Sequence, residues 1–338
     1  MAVIFWNIII PEAEFFSLQA VCQSVSRQIF LASGLSIRFT SNVFSSLRNP
    51  HRINSIPTRS GLSFLKQTFP NKIIIMQSSA LTKVLHLAIN LEQSVARRQH
   101  VEEQARKVGI PLQIVPAVHG KDLSPDNLPE YDVKRRLKEF PAGMTLNELG
   151  CIQSHLKALR LFVESEYDYC VVNEDDVSFH PDFVELLDEI LEHTSGWDCI
   201  KLWTAPPHYH VLPSQAGRKC ELTFPKKFPW ESTSILYTKA GAQKMLDAFR
   251  RYWLPFDGFL AYACFHGDFV ATGVQPDLAW PDEHFAPISE INQDNNRSQN
   301  DRKKRTLLQY IFHRFCIMGT SMGKTRMQKR MKASIKFQ

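Results

Sequence analysis

The sequence predicts an α/β domain with helices covering both faces of a mainly parallel sheet. Three stretches predict it. An apolar strand runs into consecutive acids at 169–177, a strand–helix–strand unit spans 84–118, and a capped amphipathic helix opens at Thr145. Strands buried on both faces read as unbroken apolar runs, and Tyr169-Cys-Val-Val is one. In open sheets of this kind ligands bind beyond the carboxyl ends of the strands. Glu174, Asp175 and Asp176 therefore emerge where such a domain carries its chemistry. Neighbouring carboxylates repel one another, and a divalent cation removes the conflict. Hard oxygen donors suit Mg2+ or Mn2+. The plainer alternative is that Asp176 caps the helix that His180-Pro181 opens.

The 338 residues suffice for one large α/β domain or two small ones, and a hydrophobic content of 44% supports a sizeable core. No apolar stretch reaches the roughly 18 residues of a membrane-spanning helix. The net charge of +6 is unevenly spread: eleven Lys or Arg and no acid follow Asp301. That asymmetry points to an anionic surface, either membrane headgroups or nucleic acid. The seven cysteines form no Cys-x-x-Cys pair. They read as buried free thiols in a reducing cytoplasm rather than as a disulfide frame or a zinc site.

Residues 1–75 read as an extension, either poorly ordered or upstream of a true start at Met76. Residues 24–59 are rich in Ser, Arg and Asn and hold no acid. Val84–Ile89 is the first strand. Ser94 can cap a helix that runs to about Val108 and stops at Gly109-Ile110-Pro111. Arg97 and Arg98 lie in its first turns, where the macrodipole disfavours cations. Two there point to a use such as meeting a phosphate, against the default of a solvated face. Leu112–Val118 is the second strand and completes a right-handed βαβ unit. Residues 121–144 read as a loop with room for a short helix.

Thr145-Leu-Asn-Glu148 is a capping box. The helix it opens buries Leu149, Ile152, Leu156, Leu159 and Val163. By pattern His155 is a packing histidine and Glu148 a cap. Pro181–His193 is a core-facing helix burying Phe183, Leu186, Leu187, Ile190 and Leu191. Asp198–Trp203 is a strand, 204–232 a loop carrying His208, His210 and Trp230, and Ser234–Tyr237 a strand. Thr238 then caps a helix, and Pro255-Phe256-Asp257-Gly258 turns the chain. No Gly-rich phosphate loop is present.

Four blocks taken together resemble glycosyltransferase family 25, the lipopolysaccharide and lipooligosaccharide glycosyltransferases. They are Ile89-Asn90-Leu91 with Ser94, Arg97 and Arg98; Ala117-Val118-His119-Gly120; Glu148-Leu149-Gly150-Cys151 with Ser154-His155; and Val172-Asn173-Glu174-Asp175-Asp176-Val177. Pro255-x-Asp257 is similar to a weaker feature of the family, and the resemblance spans about 84–291. Asn173 departs from the family's more usual aliphatic residue before the acids.

The resemblance implies a GT-A-like, Rossmann-type domain over 76–300, with 301–338 as a basic tail. It also implies a UDP-sugar donor and Mn2+ or Mg2+ held by Asp176, Asp175 and Glu174. Asn90, Arg97, Arg98, Glu174 and Asp175 fall to the donor. The inverting reaction needs a base, for which Asp257 is the first candidate, then Glu148, with His155 beside them. The function implied is transfer of a hexose, galactose from UDP-galactose foremost, to a lipooligosaccharide at the inner face of the inner membrane. The rival readings are a Mg2+-dependent phosphotransferase and a membrane-surface protein that binds glycans without turnover. For the tail, the anionic membrane is favoured over nucleic acid, because no aromatic stacking platform accompanies the charges. The polybasic run 324–336 has too little apolar surface to dock on protein.

Overall fold

The computed structural model describes residues 28–30, 35–38, 74–204, 209–211, 219–225, 231–285, 306–312 and 321–337. The chain divides into two compact units, 1–82 and 83–338. In the first, β1 (Gln28–Phe30), β2 (Leu35–Arg38) and β3 (Ile74–Gln77) form an antiparallel meander. A short helix, α1 (Ser79–Thr82), follows it. The expected boundary at Met76 falls inside β3, and most of the 1–75 extension lies outside the described residues.

The second unit is built on an eight-stranded sheet. From one edge it runs β10 (Tyr209–Val211), β11 (Glu221–Pro225), β13 (Ala271–Gln275), β9 (Cys199–Lys201), β12 (Ser234–Thr238), β6 (Tyr169–Glu174), β4 (Val84–Asn90), β5 (Leu112–Pro116). Only β12 and β11 run against the other six. The sheet is thus mainly parallel in direction, with β12 inserted antiparallel between β6 and β9. Ser234–Tyr237 is apolar and buried like its neighbours, so composition carried no sign of its direction.

One row of paired residues crosses the centre: Leu87, Val172, Ile235, Lys201 and Gly273. Side chains in register across a sheet project from the same face, as do residues two apart along a strand. Lys201 and Glu174 therefore share a face.

The βαβ unit forms as expected, with α2 (Val95–Val108) ended by Gly109 at φ 75°, a conformation that glycine adopts without strain. Ser94 stands at its N-cap but makes no side-chain capping bond. Short 3-10 turns follow β5, and α3 (Val133–Glu139) is capped by Asp132. Helix α4 (Leu146–Glu164) opens on the predicted capping box. It buries Phe162 in place of Val163.

Two sequence blocks meet where α4 passes beneath β5. A Cβ at Gly150 would lie 2.7 Å from the Val118 carbonyl. Ser154 Oγ accepts from the Val118 amide at 2.8 Å and donates to the Gly150 carbonyl at 2.7 Å. Only a glycine lets the helix come this close.

After the acids the chain makes an unpredicted strand, β7 (Val177–Phe179), paired with β14 (Ala279–Pro281). Helix α5 (Phe183–His193) begins only then, with Asp182 at its N-cap, so Asp176 caps nothing. Val184 is buried in α5 while Leu191 is half-buried. A two-residue strand, β8 (Thr194–Ser195), comes next. Helix α6 (Lys239–Ala248) is capped by Thr238, whose side chain accepts from the Gly241 amide. The predicted turn at 255–258 is instead the start of α7 (Phe256–His266), with Asp257 in its first turn.

The basic tail corrects an expectation. Helix α9 (Ser321–Ser334) packs on α7, with Met327, Met331 and Ile335 buried. Arg330 donates to the carbonyls of Cys264, Gly267 and Phe269, satisfying acceptors at the carboxyl end of α7. The last strand, β15 (Lys336–Phe337), pairs with β8. Met327 and Met331 on one helical face, with Ile335 just beyond the helix, suffice to dock this run on protein. Helix α8 (Leu307–Phe312) lies beside α3, yet Leu307 is 76% and Leu308 63% exposed. Residues 302–305, Arg314 and Phe315 lie outside the described residues. No helix among the described residues is long and apolar enough to cross a membrane.

Candidate active site

The acids at the carboxyl end of β6 engage different partners. Asp175 and Asp176 converge on Arg97 of α2. Arg97 Nε lies 2.6 Å from Asp175 Oδ1, and Nη2 lies 2.6 Å from Asp176 Oδ2. The first contact is an ion pair without hydrogen-bond alignment, since Nε has no aligned acceptor. Asn90, the last residue of β4, donates to Asp175 Oδ2 at 2.6 Å and to the Ser94 carbonyl at 3.2 Å. Burial raises the pKa of both aspartates, and the Arg97 charge opposes that rise. His100 of α2 stands beside them, its Nε2 at 3.1 Å from the Val177 carbonyl.

Glu174, the last residue of β6, takes a different partner. Ser232 Oγ donates to Glu174 Oε1 at 2.7 Å. Burial first, and then the Asp176 charge, push its carboxyl up to about 7. Asp257 enters from the first turn of α7, accepting from the Gly258 amide at 2.6 Å. Burial raises it to about 6, against the opposing charge of Lys201. Cys151 lies among these groups: burial, then Glu174, Asp257 and Glu148, push its thiol well up.

Lys201 was missed by sequence reasoning. It is only 2% exposed, and burial lowers its ammonium to about 8 against the pull of Asp257, Glu231 and Glu174. The signal was present: a lysine inside an otherwise apolar strand is rarely buried without a partner.

The structure places the other predicted residues less centrally. Arg98 lies on the exposed face of α2, 2.9 Å from Glu102, the solvated alternative. Glu148 Oε2 accepts from the Thr145 amide at 2.7 Å as the capping box requires, while its charge still reaches Asp257. His155 is buried, stacked on Phe256 at 4.1 Å between ring centroids. Burial lowers it to about 3, so it is neutral at ordinary pH. His208 and Trp230 lie outside the described residues, and for His210 only the backbone is described, in β10.

The three acids do not form the expected metal cage. Among the described residues no three His, Cys, Asp or Glu side chains are grouped to hold an ion. Asp175 is engaged by Asn90 and Arg97, and Glu174 by Ser232. One observation does fit a cation. Asp176 Oδ1 is buried with no hydrogen-bond partner, and Arg97 offsets only one of the two aspartate charges. Asp176 is thus the carboxylate with an oxygen left open to a cation.

A protein of Aedes aegypti named Glycosyltransferase 25 family member is 32% identical over 124 residues, covering 33% of this chain and 20% of its own length. Mouse Procollagen galactosyltransferase 2 is 28% identical over 182 residues, covering 51% of this chain and 29% of its own. A Haemophilus influenzae protein, provisionally named as a glycosyltransferase, is 23% identical over 280 residues, covering 75% of this chain and 91% of its own. The chain thus spans about a fifth of the Aedes relative and nearly the whole of the bacterial one. The family model of glycosyltransferase family 25 (LPS biosynthesis protein) matches residues 85–260, which include Arg97, Asp175, Asp176, Lys201 and Asp257; with more than half of its length so matched, the chain belongs to glycosyltransferase family 25.

Proposed function

We propose that this chain is an inverting hexosyltransferase with a GT-A-like domain, transferring galactose from UDP-galactose to a hydroxyl of a lipooligosaccharide. The observation that carries the reading is the pair of carboxylates bridged by Arg97 at the sheet's carboxyl end, suited to the donor's diphosphate. Beside it stands Asp257, whose carboxyl burial raises to about 6. A base works best with a pKa near the operating pH. In this reaction Asp257 takes the proton of the acceptor hydroxyl as its oxygen attacks the anomeric carbon. The bond to the diphosphate breaks, and its electron pair leaves on the diphosphate. Arg97 can exchange carboxylate for phosphate oxygens through charge-assisted hydrogen bonds. Asn90 keeps Asp175 in place meanwhile. Held at Asp176, a divalent cation would supply charge stabilisation to the leaving diphosphate.

The galactose assignment leans on the name of the mouse relative. The lipooligosaccharide assignment leans on the family description, which names LPS biosynthesis. The docked α9 and β15 still show Arg326, Lys329, Lys332 and Lys336 to solvent, and α8 exposes Leu307 and Leu308. Cations beside exposed apolar side chains suit an anionic membrane surface, where a lipid-linked acceptor resides. The test is nucleotide release from a panel of nucleotide sugars, with Mn2+, Mg2+ or chelator, and with lipooligosaccharide or procollagen peptide as acceptor. Release from UDP-galactose that rises only with lipooligosaccharide supports the proposal. Release that rises only with procollagen peptide moves the acceptor, and no release from any donor overturns the reading.

A further inference from the structure

We propose that Trp280 is a stacking platform for a pyranose ring of the acceptor glycan, with Asp282 beside it to receive the ring's hydroxyls. The inference rests on reading the Arg97-bridged aspartates as the donor's diphosphate site. Strands β7 and β14 form a two-stranded ribbon that leads away from those acids. Pro281 pairs with Val177, Trp280 with Ser178 and Ala279 with Phe179. The Asp282 amide donates to the Asp176 carbonyl at 2.7 Å, so these two residues stand opposite one another.

Paired residues, and residues two apart along a strand, project from one face of a ladder. Asp176, Ser178, Trp280 and Asp282 therefore share a face, and two contacts bear this out. Ser178 Oγ donates to Asp282 Oδ2 at 3.3 Å. The His180 ring meets the Trp280 ring edge-on at 6.5 Å between centroids. Val177, Phe179 and Ala279, on the opposite face, are buried. Trp280 is 37% exposed, an indole placed by backbone pairing yet open to solvent.

The chemistry of this face selects a neutral, hydroxyl-rich ring. An indole offers a flat apolar surface to the C–H side of a pyranose, and Trp suits contacts that are apolar at one end and wet at the other. Asp282 is partly exposed and can accept hydroxyl protons. His180 Nδ1 accepts from the Asp182 amide at 3.1 Å, which leaves Nε2 as a donor. A phosphate would meet the Asp282 carboxylate here, and no Lys or Arg among Ser178, His180, Trp280 and Asp282. The openness of Trp280 fits one ring of a larger glycan whose remainder stays in solvent.

The experiment measures KM for UDP-galactose and for oligosaccharide released from lipooligosaccharide, using full-length wild type, Trp280→Ala and Trp280→Phe. Loss of the indole should raise the oligosaccharide KM about tenfold, the scale of one aromatic contact, and leave the UDP-galactose KM in place. Trp280→Phe should recover most of the loss. An oligosaccharide KM unchanged in Trp280→Ala overturns the proposal. So does a rise confined to UDP-galactose, which would give the indole to the donor. Should Trp280→Ala not fold, Trp280→Thr, whose side chain favours a strand, takes its place under the same outcomes.

A second arm needs no turnover. Saturation-transfer NMR, with UDP present, reads contact between the protein and the ring protons of the same oligosaccharide. Transfer seen in wild type and lost in Trp280→Ala supports the platform even if no donor releases nucleotide, in which case only the transferase reading falls. Equal transfer in the two proteins, or none in wild type, overturns the platform whatever the activity.

Discussion

Arg97 stands between Asp175 and Asp176, 2.6 Å from each carboxylate. It does what a bridging cation does for two neighbouring acids, and it does so from the third residue of a helix, where the macrodipole offers it nothing. Removing one partner of a buried pair leaves uncompensated charge. Arg97→Met should cost about 3 kcal/mol in urea unfolding, near the lower end of that range because the guanidinium keeps some solvent. Lys at this position should recover part of the loss, lacking the fork that reaches both acids. A variant as stable as wild type would mean that the pair contributes nothing net.

The donor half is tested at Asp176, whose Oδ1 has no partner in the protein. Asp176→Asn keeps the shape of the side chain and removes its charge. Turnover should fall about a hundredfold or more, the scale seen when a stabiliser of transition-state charge is lost, while the melting temperature changes little. Near-normal turnover with the same response to Mn2+ and Mg2+ would detach Asp176 from the diphosphate.

The place of the acids was legible in the sequence, and their division was not. Tyr169-Cys-Val-Val announced a buried strand, and the strand delivers Glu174 to its end. Which face each acid takes depends on β7, hidden in Val177-Ser-Phe and paired only with the distant Ala279–Pro281. Asn173, an oddity in a buried run, is satisfied by bonds to the Leu87 carbonyl and the Ser234 hydroxyl. Neither partner is near it in sequence. The capping box, the Gly109 stop and the Thr238 cap are local devices and were read correctly. Lys201 and the docking of α9 depend on long-range packing, which pattern alone does not reveal.

His155 offers a stability test with a definite sign. It stays neutral in the fold down to about pH 3, whereas in the unfolded chain it protonates near its ordinary value of about 6.5. Between those values the unfolded state binds the extra proton. The contribution of His155 is therefore complete above about 6.5 and is lost as pH falls toward 3. His155→Phe can keep the stack on Phe256 without a titrating group. Its unfolding free energy should fall less steeply with acid, by about 1.4 kcal/mol per pH unit inside that window. Parallel curves for the two proteins would show that His155 is not held neutral.

The docking of α9 is tested in its apolar face. Met331 is fully buried, and truncating a buried methionine to alanine costs about 2–5 kcal/mol. Met331→Ala should lose about that much in urea unfolding. Lys329→Ala, on the exposed side of the same helix, should lie within about 0.5 kcal/mol of wild type. Equal, small effects at both positions would free the helix from the domain.

The same helix decides the membrane proposal, because docking fixes which cations remain outward. Arg330 is spent on the carbonyls at the end of α7, and Met327 and Met331 face the protein, so neither can enter a headgroup layer. Arg326, Lys329, Lys332 and Lys336 are the exposed cations among the described residues from 325 onward. Each is worth about 1 kcal/mol at an anionic surface before screening, so four changed to Gln should weaken vesicle binding by several kcal/mol at low salt. High salt should weaken the wild type in the same direction. Leu307→Ser with Leu308→Ser should weaken binding at both salt concentrations, since burial of apolar side chains is not screened. Co-sedimentation with anionic vesicles separates the two contributions. Equal binding by wild type, the four-Gln variant and the double Ser variant would remove the membrane from the function of this carboxyl-terminal region.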